Sequence, residues 1–259
     1  MLEQIGVNNM KKLLLAILMI LFSFELNAET VKTKNILKSS ASININGQND
    51  LDKFLDEYQE IHLKNRIYIS GSGTYDFRNI PFSYVGTNKK CRKSTSGSHP
   101  FIIIKGKDLT LKNLVIKKSS PDGLEVSRGS NVKFDNLDIQ HSCDEGITVR
   151  RKASIELENS RIVSYYNKGI IFYSNTKAKV IGSTISSEQA FSLASYQSGL
   201  NVLVENSVII KHPRAKDGRL ITGDNCKDVL IEIYKTSLHF MQQLKGTKNC
   251  KNIKIKYKR

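Results

Sequence analysis

Cysteine and histidine are scarce: four cysteines and five histidines in 259 residues. Cys91, Cys143, Cys226 and Cys250 are far apart, and no pair has the close spacing of a metal knuckle, which excludes a structural zinc module. A long apolar run is missing too. The longest, Leu13 to Phe24, is too short for a comfortable membrane span. Acidic residues are few, 24 against 40 lysines and arginines, for a formal charge of +16. An apolar content of 39% with 25% charged residues argues against disorder and fits one domain with a sizeable core.

The run Leu13 to Phe24 follows Met10-Lys11-Lys12 and precedes Leu26-Asn27-Ala28, the three-part pattern of a secretory signal. Residues 1–28 are read as a signal peptide cut near Ala28, and residues 29–259 as one exported domain, secreted or periplasmic. No cysteine stands at the cut, so neither a lipid anchor nor any other stable membrane anchor is expected. Export permits two disulfides. The stretches Asn225-Cys226-Lys227 and Asn249-Cys250-Lys251 match at one repeat length, which predicts that those two thiols lie close together.

Lys11 and Lys12 balance Glu3 and Glu25, so the signal region adds nothing and the surplus charge belongs to the mature chain. A surface this basic attracts polyanions. In an exported, monomeric protein the expected partner is an acidic polysaccharide or an anionic envelope, not nucleic acid.

A period of about 23 residues organises the chain. Leu111, Phe134, Leu157, Val180 and Val204 are separated by 23, 23, 23 and 24 residues, each inside a short segment that alternates apolar with polar. Ile116, Ile139, Ile162, Ile185 and Ile209 form a second column, and Leu124, Ile147 and Ile170 a third. Alternation is the strand period with one face buried. Three short strands per repeat, stacked at about 4.8 Å, predict an all-β solenoid, a parallel β-helix with main coils over 100–259. Right-handed winding follows from the general crossover rule. Asn113, Asn136, Asn159 and Asn206 share the turn after the first strand, broken by Gly182, and predict a stacked amide ladder. Upstream, Leu51, Phe54, Leu55, Tyr58 and Ile61 recur at helical spacing behind Asn49 and Asp50, which predicts a capping helix over 48–62 that closes the N-terminal end.

One turn carries unusual residues at fixed register. Asp122, Glu145 and Lys168 are each 23 apart, with Asp144 beside Glu145. Carboxylates stacked at coil spacing repel unless a cation or proton intervenes. A hard cation with oxygen ligands, Ca2+, suits them, and Lys168 would neutralise part of the cluster. The plainer alternative is a solvated surface ladder closed by an ion pair.

Asp122-Gly123, Cys143-Asp144-Glu145-Gly146, Lys168 and the earlier Gly73-Thr74-Tyr75-Asp76 and Pro100-Phe101 resemble motifs of the short calcium-dependent pectate lyases of polysaccharide lyase family three, over roughly 65–185. Here the acidic pair reads Asp-Glu instead of Glu-Asp, and Gln189 to Ala194 occupies the place of the family's lysine and arginine. The resemblance implies β-elimination across galacturonate, with calcium held by Asp122, Asp144 and Glu145. Lys168 is then the expected base, and Arg150, Arg214, Lys216 and Arg219 the expected contacts to further uronate carboxylates.

Two rival readings remain. A polygalacturonate hydrolase would use Asp122 with Asp144 or Glu145 as acid and base. A non-catalytic solenoid would bind acidic glycans through its basic surface.

Overall fold

The computed structural model describes residues 35–85, 100–119, 122–165, 167–216, 218–239, 241 and 247–258. The expected signal peptide, residues 1–28, and the basic loop around Cys91 lie outside the described residues. Residues 35–259 form one compact unit.

Strands within this unit pair in parallel and stack as a solenoid, as the period predicts. Among the described residues, one row is a nine-stranded sheet; the other two rows join through the long strand Pro100–Lys112 into a fifteen-stranded sheet. The apolar columns are the predicted ones. Leu111 pairs with Phe134, Phe134 with Leu157, Leu157 with Val180 and Val180 with Val204, and the column continues through Ile233 to Tyr257. The second column runs from Phe82 through Ile116, Ile139, Ile162, Ile185 and Ile209 to Leu238. The third starts at Ile102 and passes Leu124, Ile147 and Ile170 to Phe191 and Ile221. Most of these side chains are wholly buried, so the interior is filled by like residues stacked coil on coil.

The asparagine column does what its backbone requires. Asn113, Asn136, Asn159 and Asn206 have φ between +47° and +62°, a left-handed bend that asparagine tolerates and glycine takes freely, which explains Gly182 at the fourth position of the column with φ +56°. Asn136 donates to Asn113 Oδ1 at 2.8 Å, and Asn113 donates to Asp76 Oδ1 at 2.9 Å. A second ladder runs just after this bend. Ser160 Oγ accepts from the Leu137 amide, Ser183 Oγ from the Ser160 amide, and Ser207 Oγ from the Ser183 amide, at 3.0–3.1 Å. Each hydroxyl satisfies a buried N–H where the corner interrupts strand pairing.

Two expectations about the N-terminal end need correction. The helix spans Gln48–Leu55, not 48–62. Glu60–Leu63 is a strand paired on both sides, and Ile61, read as a helical position, faces the core of that coil. The helix is capped by the Gly47 backbone, without a side-chain cap; Asp50 Oδ2 instead accepts from the Asn46 amide at 3.1 Å. The coils also begin earlier than residue 100, since Ile36–Ser39 and Ile43–Ile45 already pair with Glu60–Leu63 and Ile67–Asp76. Leu51 and Leu55 of the helix pack into the core at this end.

The C-terminal coils are tied covalently. Cys226 and Cys250 form a disulfide with Cα atoms 4.4 Å apart, as their matching contexts predict. Cys143 is disulfide-bonded as well.

Candidate functional site

Strands Asp122–Val126, Ile147–Val149, Lys168–Phe172, Gln189–Leu193 and Arg219–Asp224 lie side by side in one row. Their register confirms the predicted column and extends it. The Gly123 amide donates to Glu145 O and the Gly146 amide to Lys168 O, while Lys168 pairs with Gln189 and Gln189 with Arg219. Asp122, Glu145, Lys168, Gln189 and Arg219 therefore stand on successive coils. Gly123, Gly146 and Gly169 are required beside them: a Cβ on Gly123 would sit 2.3 Å from Gly146 O, one on Gly146 2.5 Å from Ile162, and one on Gly169 2.6 Å from Ile185.

The ion pair of the plainer reading is present, but the column is not a solvated ladder. Asp122 and Asp144 are buried, at 1% and 5% exposure. Lys168 Nζ bonds Glu145 Oε1 at 2.9 Å, with the two side chains only 22% and 12% exposed, and Thr148 donates to Glu145 Oε2 at 2.9 Å. Asn167 donates to Asp144 Oδ1 at 2.7 Å, Gln189 to Asn167 Oδ1 at 3.2 Å, and Thr222 to Gln189 Oε1 at 2.6 Å. A half-buried ion pair thus stands beside a polar network, Asp144 to Thr222, that crosses four coils. Such networks fix side-chain positions because each member satisfies the next.

Among the described residues no group of three or more His, Cys, Asp or Glu side chains is placed to hold a metal ion. Both Glu145 oxygens and one Asp144 oxygen accept hydrogen bonds from protein donors, so the described residues as arranged do not fit the calcium site expected of Asp122, Asp144 and Glu145.

The expected substrate-binding cations divide into three places. Arg219 stands in the column itself. Arg214 lies over the Tyr165 ring at 4.9 Å, and Lys216 is exposed on the same turn. Arg150 is engaged elsewhere: its Nε and Nη2 contact Glu125 Oε2 at 2.8 and 2.6 Å, and its guanidinium lies 4.5 Å from the centre of the Tyr173 ring. Burial works against its charge, but Glu125 and Tyr173 together outweigh burial and the guanidinium pKa is raised.

Spacing alone does not reveal one cluster. His141, Tyr165 and His212 stack ring on ring, with centroids 3.9 and 4.5 Å apart. Burial is the main cause that holds both imidazoles below their ordinary 6.5, with added repulsion from Arg214 on each and from Lys118 and His212 on His141. These residues escape a strict 23-residue search because the turns that carry them vary in length.

Residues 100–218 match the family model of the right-handed beta helix region. The chain is a right-handed parallel β-helix. No curated protein matches it. The match and the stacked coils support the pectin lyase-like superfamily, and neither singles out family three of the polysaccharide lyases. This β-helix fold is compatible with enzymes that act on polysaccharides, lyases and hydrolases alike.

Proposed function

We propose that the protein is an exported lyase that cleaves an acidic polysaccharide, polygalacturonate in the first instance, by β-elimination, with Lys168 as the base. The observation that carries this reading is the column itself: one lysine, shielded from solvent, with carboxylates on one side and Arg219 two coils away on the other. A net charge of +16 draws a polyanion to such a surface.

In elimination the Lys168 amine takes the C5 proton of a uronate, the electron pair forms the C4–C5 double bond, and the C4–O bond breaks as the leaving oxygen takes a proton. Arg219 supports the step by pairing with the uronate carboxylate, where negative charge grows as the C5 proton departs. Lys168 must leave Glu145 and give a proton to solvent before its amine can take the C5 proton, and it returns that proton to solvent after each turnover. The polar network around Glu145 gives that carboxylate a second donor, Thr148, to fall back on.

A second reading has its own support. The Glu145–Lys168 pair is complete without ligand, which suits a solenoid that binds acidic glycan and does not cleave it. Product analysis of purified mature protein incubated with polygalacturonate, with and without calcium, separates these readings. Unsaturated uronide ends support elimination. New reducing ends without unsaturation point to hydrolysis, and retention of intact polymer to binding alone.

A further inference from the structure

At the far end of the same strands, about 16 Å from the Lys168 column at five residues' rise, the row opens into a cleft of about 470 Å³. Its walls include Glu125, Arg128, Arg150, Arg151, Tyr173 and Gln197. The register is as regular here as in the column. The Arg150 amide donates to Val126 O and the Tyr173 amide to Val149 O, so Arg150 and Tyr173 stack on adjacent coils.

The cleft is organised around its charges. Arg150 is locked between Glu125 and the Tyr173 ring, which neutralises one arginine and fixes the ring. Gln197, at 9% exposure, is held by the Ser174 amide and hydroxyl, both donating to its Oε1 at 3.2 and 2.6 Å, and donates its own amide to Ser195 O at 3.1 Å. Arg128 and Arg151 are different. Both are exposed, and neither forms an ion pair with a described residue. Two exposed guanidinium groups, with no ion-pair partner among the described residues, and one fixed aromatic ring, that of Tyr173, therefore line the cleft.

We propose that this cleft is a second glycan site, distinct from the Lys168 column, which binds an acidic sugar ring. Arg128 and Arg151 take its carboxylate or sulfate in planar, charge-assisted hydrogen bonds, and Tyr173 lies against the apolar face of the ring. The chemistry of the site selects the ligand class: guanidinium alone serves any polyanion, whereas an adjoining phenol ring adds surface that a sugar uses and a bare phosphate chain does not. Binding here needs no turnover, so it goes beyond the lyase reading and stands or falls separately from it.

Calorimetric titration of the full mature chain, in a Lys168→Met background that stops elimination, tests the site with four probes: oligogalacturonate, a sulfated oligosaccharide, a neutral dextran oligomer and inorganic polyphosphate. The Arg128→Ala/Arg151→Ala double variant is expected to weaken binding of an acidic oligosaccharide about tenfold or more. Tyr173→Leu is expected to weaken acidic oligosaccharide binding about threefold and leave polyphosphate binding unchanged. Whichever acidic probe binds more tightly assigns the anion as carboxylate or sulfate. Unchanged oligosaccharide affinity in the double arginine variant overturns the site. An equal response of polyphosphate and oligosaccharide to Tyr173→Leu overturns it as a sugar site. Absence of elimination by the wild type, with binding at the cleft intact, would count against the lyase reading alone.

Discussion

Lys168 and Glu145 lie on adjacent coils and share a hydrogen bond of 2.9 Å where the solenoid shields both from most solvent. Neither residue reaches the other by local sequence. Only the 23-residue period joins them, so the pair measures how faithfully the coils hold register.

Removing one member leaves a charge with little water to replace its partner. Lys168→Met and Glu145→Gln are each expected to destabilise the fold by about 1–3 kcal/mol. The double variant should cost clearly less than the sum. Denaturant unfolding of the four proteins in the cycle checks this, and strict additivity would show that the pair contributes nothing.

Serine 183 supports two coils at once, donating to Ile181 O at 2.8 Å and accepting from the Ser160 amide at 3.0 Å. Ser183→Ala strands a buried N–H and is expected to cost about 1–3 kcal/mol. Ser154, whose hydroxyl bonds only the exposed Asn131 side chain, provides the comparison: Ser154→Ala should fall within about 0.5 kcal/mol of wild type. Thermal melts of both variants suffice.

Acidification should weaken the fold through the imidazole stack. His141 and His212 are held below 6.5 by burial, so the folded state resists protonation that the unfolded state accepts. Their contribution is fully present above pH 6.5 and is lost as pH falls through the depressed folded values. A His141→Phe/His212→Phe variant should show a shallower loss of stability just below 6.5 than the wild type.

Reduction of Cys226–Cys250 releases a loop closed over a separation of 24 residues. Chain-entropy arguments give about 2–4 kcal/mol for such a closure. The last strand, Lys251–Lys258, is largely exposed and pairs on only one side among the described residues. Mild reductant should make this end sensitive to protease before the central coils, and Cys226→Ser should reproduce the effect.

The fold was legible because its columns repeat by number: the leucine, isoleucine and asparagine positions need only counting. The first coils were hidden by the helix Gln48–Leu55, which interrupts the period, and Ile61 fell into helical spacing by coincidence although it lies in a strand. The serine ladder escaped notice because serine is common in any turn and reveals its role only through burial. At the site, register put Asp122, Glu145 and Lys168 in one column and Lys168 against the carboxylates, yet spacing could not tell that Thr148 would bond the second Glu145 oxygen, or that Arg150 would be held by Glu125 and Tyr173. Side-chain partners at a given register are chosen by rotamer and neighbour, which period alone does not encode.

Proton removal from an acidic sugar by Lys168 is read out by the ultraviolet absorbance of unsaturated uronide as wild type and Lys168→Met act on polygalacturonate at alkaline pH. Absorbance should grow steadily with the wild type, and the rate should fall about 10²–10⁴-fold in the variant. Equal rates in the two proteins, or no unsaturated product from the wild type, would contradict that role of Lys168.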